Sequence, residues 1–258
     1  MLKAWSGEKK TQFGLWLGLG SKEYHRYHDV IIPSKNGTTQ IDHLVVSPYG
    51  IFIVETKNRQ GWIFGDANQP NWTQVNYRRK YQFQNPIRQT YRQKKVVAEF
   101  LNIEESSIYP VIAFVGRCQF KTPLPQNVLK GGVSSYIKGH KATVFNDGEI
   151  RRIEESFMRL KEDNSLTDST HVASLHERHS STTICPRCGS RLVERLARNG
   201  PNAGSMFLGC SSYPKCRFTK DLPKQASYDY NHTNQASSAT KVFILLFFML
   251  VILFILSV

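Results

Sequence analysis

The sequence predicts an α/β protein, a mixed sheet flanked by helices, followed by a small β module and a C-terminal transmembrane helix. Three observations carry this expectation. Two apolar runs, "TQIDHLVVS" and "GIFIVETKN", are joined through "SPYG" and lie between helix-like stretches. Four of the five cysteines cluster after residue 184, and residues 242–258 contain no charge at all.

Taken in chain order, "KKTQFGLWLGLG" reads as an N-terminal helix ending at glycines, and "YHDVIIP" as a short strand stopped by Pro33. Residues 39–47 and 50–58 then form an antiparallel hairpin, because Pro48 and Gly50 favour a tight connection. Ile51, Phe52, Ile53 and Val54 are apolar on both faces, the pattern of a central strand covered on each side. Asn85 to Leu101 has the length of a helix, with Pro86 in the favoured first turn. Tyr109 to Gly116 reads as another buried strand, and Trp62, Trp72 and Cys118 as packed core residues.

Composition divides the chain into a main domain over 1–160, a polar Ser/Thr-rich linker over 161–183, a cysteine module over 184–220, a second linker over 221–240 and an apolar tail over 242–258. The tail would make about 25 Å of helix, at the short limit for a hydrocarbon core of about 30 Å. A buried core helix is the alternative, but a segment apolar on every face suits a membrane anchor better. The N-terminus has scattered charges and lacks the continuous apolar stretch of a signal peptide. With Lys241 at the edge of the tail, the domains are expected on the cytoplasmic side, anchored in membrane lipid.

Charge narrows the function. Thirty-four Lys and Arg against 20 Asp and Glu give a net charge of +14, which points to a polyanion such as nucleic acid or an anionic membrane surface. The cysteines are too few and too unevenly placed for a disulfide scaffold. Cys185 and Cys188 followed by Cys210 and Cys216 suit four-thiolate zinc in a closed structural site, with "RLVERLAR" and "SMFLGCS" as strands of a ribbon. Redox use of Cys185 and Cys188 is the lesser alternative. Nine Lys and Arg against three acids between Glu177 and Lys224 make the module basic.

Asp42 in the first run, with Glu55 and Lys57 at the end of the second, raises the question of catalysis. Side chains alternate along a strand, so Glu55 and Lys57 share a face, and the hairpin brings Asp42 within reach of it. Two acids so close repel each other unless a cation sits between them. Mg²⁺ (or Mn²⁺) takes hard oxygen ligands and keeps positions for phosphate, and Lys57 would orient water or offset charge on phosphate. An ordinary ion pair of Lys57 with Glu55 or Asp42 explains the same residues, and the pattern alone leaves both open.

The run from Tyr77 to Lys95 holds Arg78, Arg79, Lys80, Arg88, Arg92, Lys94 and Lys95 without an acid, interleaved with Tyr77, Tyr81, Phe83 and Tyr91. That mixture suits phosphates and stacked bases, and Arg88, Arg92 and Lys95 would form one helical stripe. A solvated helix face is the plain alternative.

Gly7 and Glu8, "TQIDHLVVSPYGIFIVETKNRQGWIFG", Trp72 and "FQNPIRQ" together resemble the NERD, or nuclease-related, domain. The resemblance covers about 7–101 and implies the restriction-endonuclease-like fold of the PD-(D/E)XK superfamily. It implies Asp42 and Glu55 as metal ligands, Lys57 as the catalytic lysine, and Glu8 and Gln89 as helix-borne groups beside the metal. "ID" stands where the superfamily name has "PD". The cysteine module, including "GCSSYPKC", resembles the C-terminal zinc finger of type IA DNA topoisomerases, a module associated with single-stranded DNA. The expectation is a membrane-anchored, metal-dependent DNA nuclease. The rival is a non-catalytic, membrane-tethered nucleic-acid-binding protein that uses the acids structurally.

Overall fold

The computed structural model describes residues 2–222. The chain opens with helix α1 (Leu2–Gly18), followed by strands β1 (His25–Ser34), β2 (Gly37–Ser47) and β3 (Gly50–Lys57). Three short strands come next, β4 (Gly61–Phe64), β5 (Asn71–Asn76) and β6 (Arg79–Gln84), then helix α2 (Pro86–Leu101). Strands β7 (Ile108–Phe114), β8 (Cys118–Phe120) and β9 (Val128–Leu129) precede helices α3 (Val133–Lys138), α4 (Asp147–Glu162) and α5 (Asp168–Ser180). The module after them contributes β10 (Leu192–Leu196), β11 (Met206–Cys210) and β12 (Thr219–Asp221).

The main sheet runs in the order β1-β2-β3-β7-β9. Its first three strands form an antiparallel meander, and β7 and β9 run parallel to β3. The β2–β3 turn follows the expected chemistry. Ser47 pairs with Gly50, whose φ of 129° is open chiefly to glycine, and a Cβ there would meet the Tyr109 ring at 2.4 Å. Strand β1 runs through Pro33 rather than stopping at it, which an edge strand tolerates because one side of it needs no ladder donor.

β3 is central, as its continuous apolar run implies. On one face Ile51 and Ile53 pack with Leu44 and Val46 beneath Val96 and Val97 of α2 and Ile153 and Phe157 of α4. On the other, Phe52 and Val54 meet Leu15 and Leu19 from α1 and its end, with Ile137 of α3. Each such side chain contributes about 1.5–3 kcal/mol on burial. These two layers hold the end of β3 rigid, and Glu55 and Lys57 stand there.

A second sheet, β6-β5-β4-β8, packs Ile63 and Trp72 on Phe114 and Cys118. Trp62 corrects the expectation of a core residue. Alternation along β4 turns Ile63 inward, so Trp62 faces out, half-exposed, with the Lys121 ammonium 4.8 Å from its ring.

Asn85 joins the second sheet to α2. Fully buried, it caps the helix by accepting from Ile87 N at 2.9 Å, while its Nδ2 donates to the carbonyls of Asp66, Ala67 and Gln69. Asn85→Ala should therefore cost about 2–4 kcal/mol, a lost cap plus three carbonyls stripped of their donor. Asn85→Asp, which keeps the cap but faces carbonyls with a carboxylate, should cost at least as much. Urea unfolding reads both, and a shift of Asn85→Ala below about 0.5 kcal/mol would deny the role.

The stretch 161–183, expected as a polar linker, is helical over most of its length. Thr167 and Thr170 form a capping box that starts α5. The polar side chains are spent on β2: His171 Nδ1 and Ser174 Oγ each lie 2.7 Å from Thr38 Oγ1, and Arg178 donates to Thr38 O at 3.0 Å. Hydrogen bonding to a strand, not solvation, accounts for the composition.

The last three strands form a small sheet in the order β10-β11-β12, with both expected ribbon strands paired in register from Leu192–Cys210 to Leu196–Met206. Apart from its first two residues, the second expected linker lies outside the described residues, as do Lys241 and the expected transmembrane segment 242–258. Among the described residues no helix is long and apolar enough to cross a membrane.

Candidate active site and zinc centre

The last ladder pair of the β2–β3 hairpin is His43–Val54, so Asp42 and Glu55 face each other one step further on. Glu55 is 3 % exposed. Its Oε1 lies 2.5 Å from Lys57 Nζ, two residues along the same face. Lys57 Nζ also donates to Gln89 Oε1 at 3.0 Å. One helical turn on, Gln93 Nε2 donates to Glu55 Oε2 at 2.9 Å and to Gln40 O at 3.1 Å. Helix α2 therefore grips both members of the Glu55–Lys57 pair with amides spaced i, i+4.

Among the described residues Asp42 forms no ion pair, and the nearby Lys57 charge favours its carboxylate less than burial opposes it. Its Oδ2 accepts from Thr56 N–H at 2.8 Å, yet burial and then the Glu55 charge push its carboxyl up to about 8. Glu8, projecting from α1, is raised in the same direction by burial, Asp29 and Glu55. Gly7 sets the approach of that helix, since a Cβ would come 2.8 Å from Asn58 Cβ. Three acids that disfavour one another's charge thus share this end of the sheet with one lysine. Asp42 and Glu55 carry hard carboxylate oxygens of the kind Mg²⁺ takes, with Glu55 Oε1 held by Lys57 and Oε2 by Gln93 in this structure.

The shift has a measurable consequence. Asp42 holds its proton more tightly in the folded chain than at its ordinary value of 3.8, so the folded state binds more protons and loses stability as pH rises through about 8. The lowered His28 and His43 act in the opposite sense, below the ordinary histidine value of 6.5. Without added divalent cation, the urea midpoint should fall between about pH 6.5 and pH 8 and level off above that, and Asp42→Asn should flatten that slope. A midpoint that rises over this range would contradict the buried, unpaired acid.

Residues not expected from sequence are Gln93, Thr56 through its N–H, and Asp29. Gln93 had a signal, its i+4 spacing from Gln89. Asp29 lies between the β1–β2 pairs His28–His43 and Val30–Ile41, hence opposite Asp42, and has a left-handed φ of 53°. The two-residue Lys35-Asn36 turn, closed by the Ser34–Gly37 pair, sets that register.

The basic residues are dispersed. Arg78 sits at the β5–β6 turn, and Arg79 and Lys80 are exposed on β6. The helical stripe splits into three tasks. Lys95 pairs with Glu105 at 2.9 Å. Arg92 is a clasp, donating to Asn36 Oδ1 at 2.9 Å, to Ser34 Oγ and to the carbonyls of Pro186 and Arg187. Arg88 donates to Asn68 O and faces the cavity beside Asp42.

Arg92 thereby fastens the cysteine module to the nuclease-side helix, with Asn36 Nδ2 donating to Cys185 O at 3.2 Å. The ligand atoms of Cys185, Cys188, Cys210 and Cys216 all lie within 4.8 Å of one another. Sγ of Cys185 and Cys216 are 3.8 Å apart, and those of Cys188 and Cys210 3.4 Å. Tetrahedral zinc with bonds of about 2.3 Å separates its sulfurs by about 3.8 Å, so the four cysteines form a site for structural Zn²⁺.

Fold and centre together define a nuclease-like mixed α/β domain carrying a four-cysteine zinc ribbon. The chain belongs to the NERD, or nuclease-related domain, family, which it matches over residues 3–115. Residues 182–225 match the family described as the topoisomerase DNA binding C4 zinc finger. An uncharacterized protein of Bacillus anthracis is 31% identical over 166 residues, 62% of this chain and 78% of that one. The ribbon is 46% identical over 43 residues to DNA topoisomerase 1 of Archaeoglobus fulgidus, 17% of this chain but only 6% of that enzyme. It is 45% identical over 42 residues to the uncharacterized Escherichia coli protein YrdD, 16% of this chain and 21% of that one. No solved structure matches the chain.

Proposed function

We propose that the protein is a metal-dependent DNA nuclease held at a membrane by its C-terminal segment. The observation that carries this reading is the half-buried Asp42, Lys57 and Gln89 gathered around buried Glu55 at the end of the central strand β3. A bound Mg²⁺ (or Mn²⁺) would polarise the phosphodiester and lower the pKa of a ligated water. Asp42 and Glu55 would hold it, with Thr56 N–H fixing Asp42 and Gln93 fixing Glu55. Lys57, steered by Gln89, would orient the attacking water and offset charge growing on phosphate oxygen. Glu8, a raised acid beside the pair, is placed to exchange a proton with solvent.

DNA is the substrate that the nuclease-related domain and the topoisomerase-type ribbon both favour. The 2.5 Å contact of Lys57 with Glu55 also suits the rival, a structural ion pair in a non-catalytic DNA tether. Incubating the purified protein with single- and double-stranded DNA, with Mg²⁺ and with Ca²⁺ in its place, separates the two. Cleavage only with Mg²⁺ supports the enzyme, and binding without cleavage in every condition supports the tether.

Residues 242–258 support the membrane part of the reading by sequence, as does Lys241 on the cytoplasmic edge. A truncation ending at Thr240 should move to the soluble fraction with zinc and activity intact. Full-length protein in the soluble fraction, or protease access to the nuclease domain from outside intact cells, would overturn the anchor or its orientation.

A further inference from the structure

The clasp formed by Arg92 encloses a cavity of about 420 Å³ between the nuclease sheet, α5 and the zinc ribbon. Asp42 and Gln89 line it from the proposed catalytic side. Arg88 of α2, Arg178 of α5, and Arg187 and Phe218 of the ribbon line it from the others. Among the described residues none of these arginines, nor Arg92, has a carboxylate ion-pair partner. Like charges gathered at one cleft without counter-ions call for an anion.

Three residues of the lining also carry buried polar atoms without hydrogen-bond partners. Gln93, 2 % exposed, gives both Nε2 hydrogens to Gln40 O and the Glu55 carboxylate, so its amide cannot be turned round, and its Oε1 is left without a donor. Thr39 Oγ1 and Arg178 Nε, on residues 6 % and 8 % exposed, are likewise unpartnered. Such atoms cost about 1–3 kcal/mol each, and the lining itself, arginines with Gln89 and Asp42, offers a ligand both donors and acceptors. A nucleotide has phosphate oxygens, a sugar and base edges that meet both demands. Phe218, with the Arg187 guanidinium 6.0 Å from its ring, offers a face for a base.

We propose that this cavity binds one nucleotide of the DNA strand next to the phosphodiester to be cut, so that the zinc ribbon is a wall of the active-site cleft rather than a separate DNA-binding appendage. Arg88, Arg178 and Arg187 hold the phosphate, Phe218 stacks on the base, and the Gln89 amide meets the sugar or base edge. A base stacked on Phe218 in this cleft has to be unpaired, which sets the substrate class as a single strand or a frayed end. The inference rests on the nuclease reading for its geometry next to Asp42, but its test does not depend on cleavage.

The probe is a short fluorescent oligothymidylate, measured by anisotropy on the zinc-loaded full chain with Ca²⁺ in place of Mg²⁺. Arg187→Ala and Phe218→Ala change partly or fully solvent-facing side chains and spare the zinc ligands; each should weaken binding about tenfold. Arg187→Ala should also lower the slope of log K against log salt by about 0.7, the value of one phosphate contact on a single strand. Arg151→Ala, which removes an exposed charge on α4 outside the lining, should bind the probe like the parent, and a blunt duplex of the same length should bind more weakly. If the parent cuts no DNA while the two ribbon variants still lose the probe, the catalytic reading fails and the cavity stands. If both variants keep their zinc and bind within twofold of the parent, or the blunt duplex binds equally well with the same dependence on Arg187, the cavity proposal is wrong.

Discussion

Asp42→Asn should lower Mg²⁺-dependent DNA cleavage by about a thousandfold or more while leaving the protein folded. The substitution is close to isosteric, and the asparagine Oδ1 can take the Thr56 N–H that Asp42 accepts at 2.8 Å. Without a bound cation Asp42 holds its proton up to about 8, so the neutral amide resembles the resting state of the site and spares the chain a buried charge. Stability near neutral pH should therefore be unchanged or slightly raised. What is removed is the second carboxylate that a divalent cation needs. Lys57→Ala should be equally inactive but cannot be equally innocent. It strips the partner from a carboxylate that is 3 % exposed, a loss that typically costs about 3–5 kcal/mol. Asp42→Asn is thus the cleaner test. If it cuts DNA at the parental rate in Mg²⁺, the catalytic assignment is sunk.

The cluster of Asp42, Glu55, Lys57 and Gln89 was legible because it depends on short-range rules. The Ser47–Gly50 turn sets a register, alternation puts Glu55 and Lys57 on one face, and the helix that follows carries amides at i, i+4. The apolar run of β3 foretold a strand covered twice, and the structure supplies two separate layers. Residues whose task depends on a distant partner were not legible. Arg92 reads as one member of a basic stripe because its acceptors, Pro186 O and Arg187 O, lie 94 and 95 residues along the chain. The α5 segment reads as solvated because nothing local shows that Thr38 will take its hydrogen bonds. Trp62 misleads for another reason: the neighbouring Ile63 uses the inward place in a four-residue strand. Side chains that join modules look like surface until the modules are set together.

The same junction shapes the expected result of removing zinc. Chelation, or Cys210→Ser, should unfold residues 184–221 while leaving the two layers around β3 intact. The ribbon has one short three-stranded sheet and few buried apolar groups of its own, Leu192 and Leu208 beside the cysteines. Structural zinc contributes an apparent 10–16 kcal/mol or so in modules of this size, more than so small a core supplies. None of the residues of the three hydrophobic clusters comes from the ribbon, so the nuclease domain does not need it to fold. It does lose something. The carbonyls of Pro186 and Arg187 leave Arg92, whose burial already lowers its pKa to about 10, and the clasp opens toward solvent. Hydrogen exchange should show protection lost first in β10 to β12, next at Asn36 and α5, and not in β3 or β7. Cleavage by the zinc-free protein should persist at saturating DNA with a raised KM, because the groups on β2 and β3 remain while one wall of the cleft is gone. Metal analysis of protein purified without oxidant should find one zinc per chain. Metal-free, fully oxidised cysteines in such protein, or a ribbon equally protected after chelation, would refute the structural zinc. An unchanged KM would show that the ribbon holds no part of the DNA being cut.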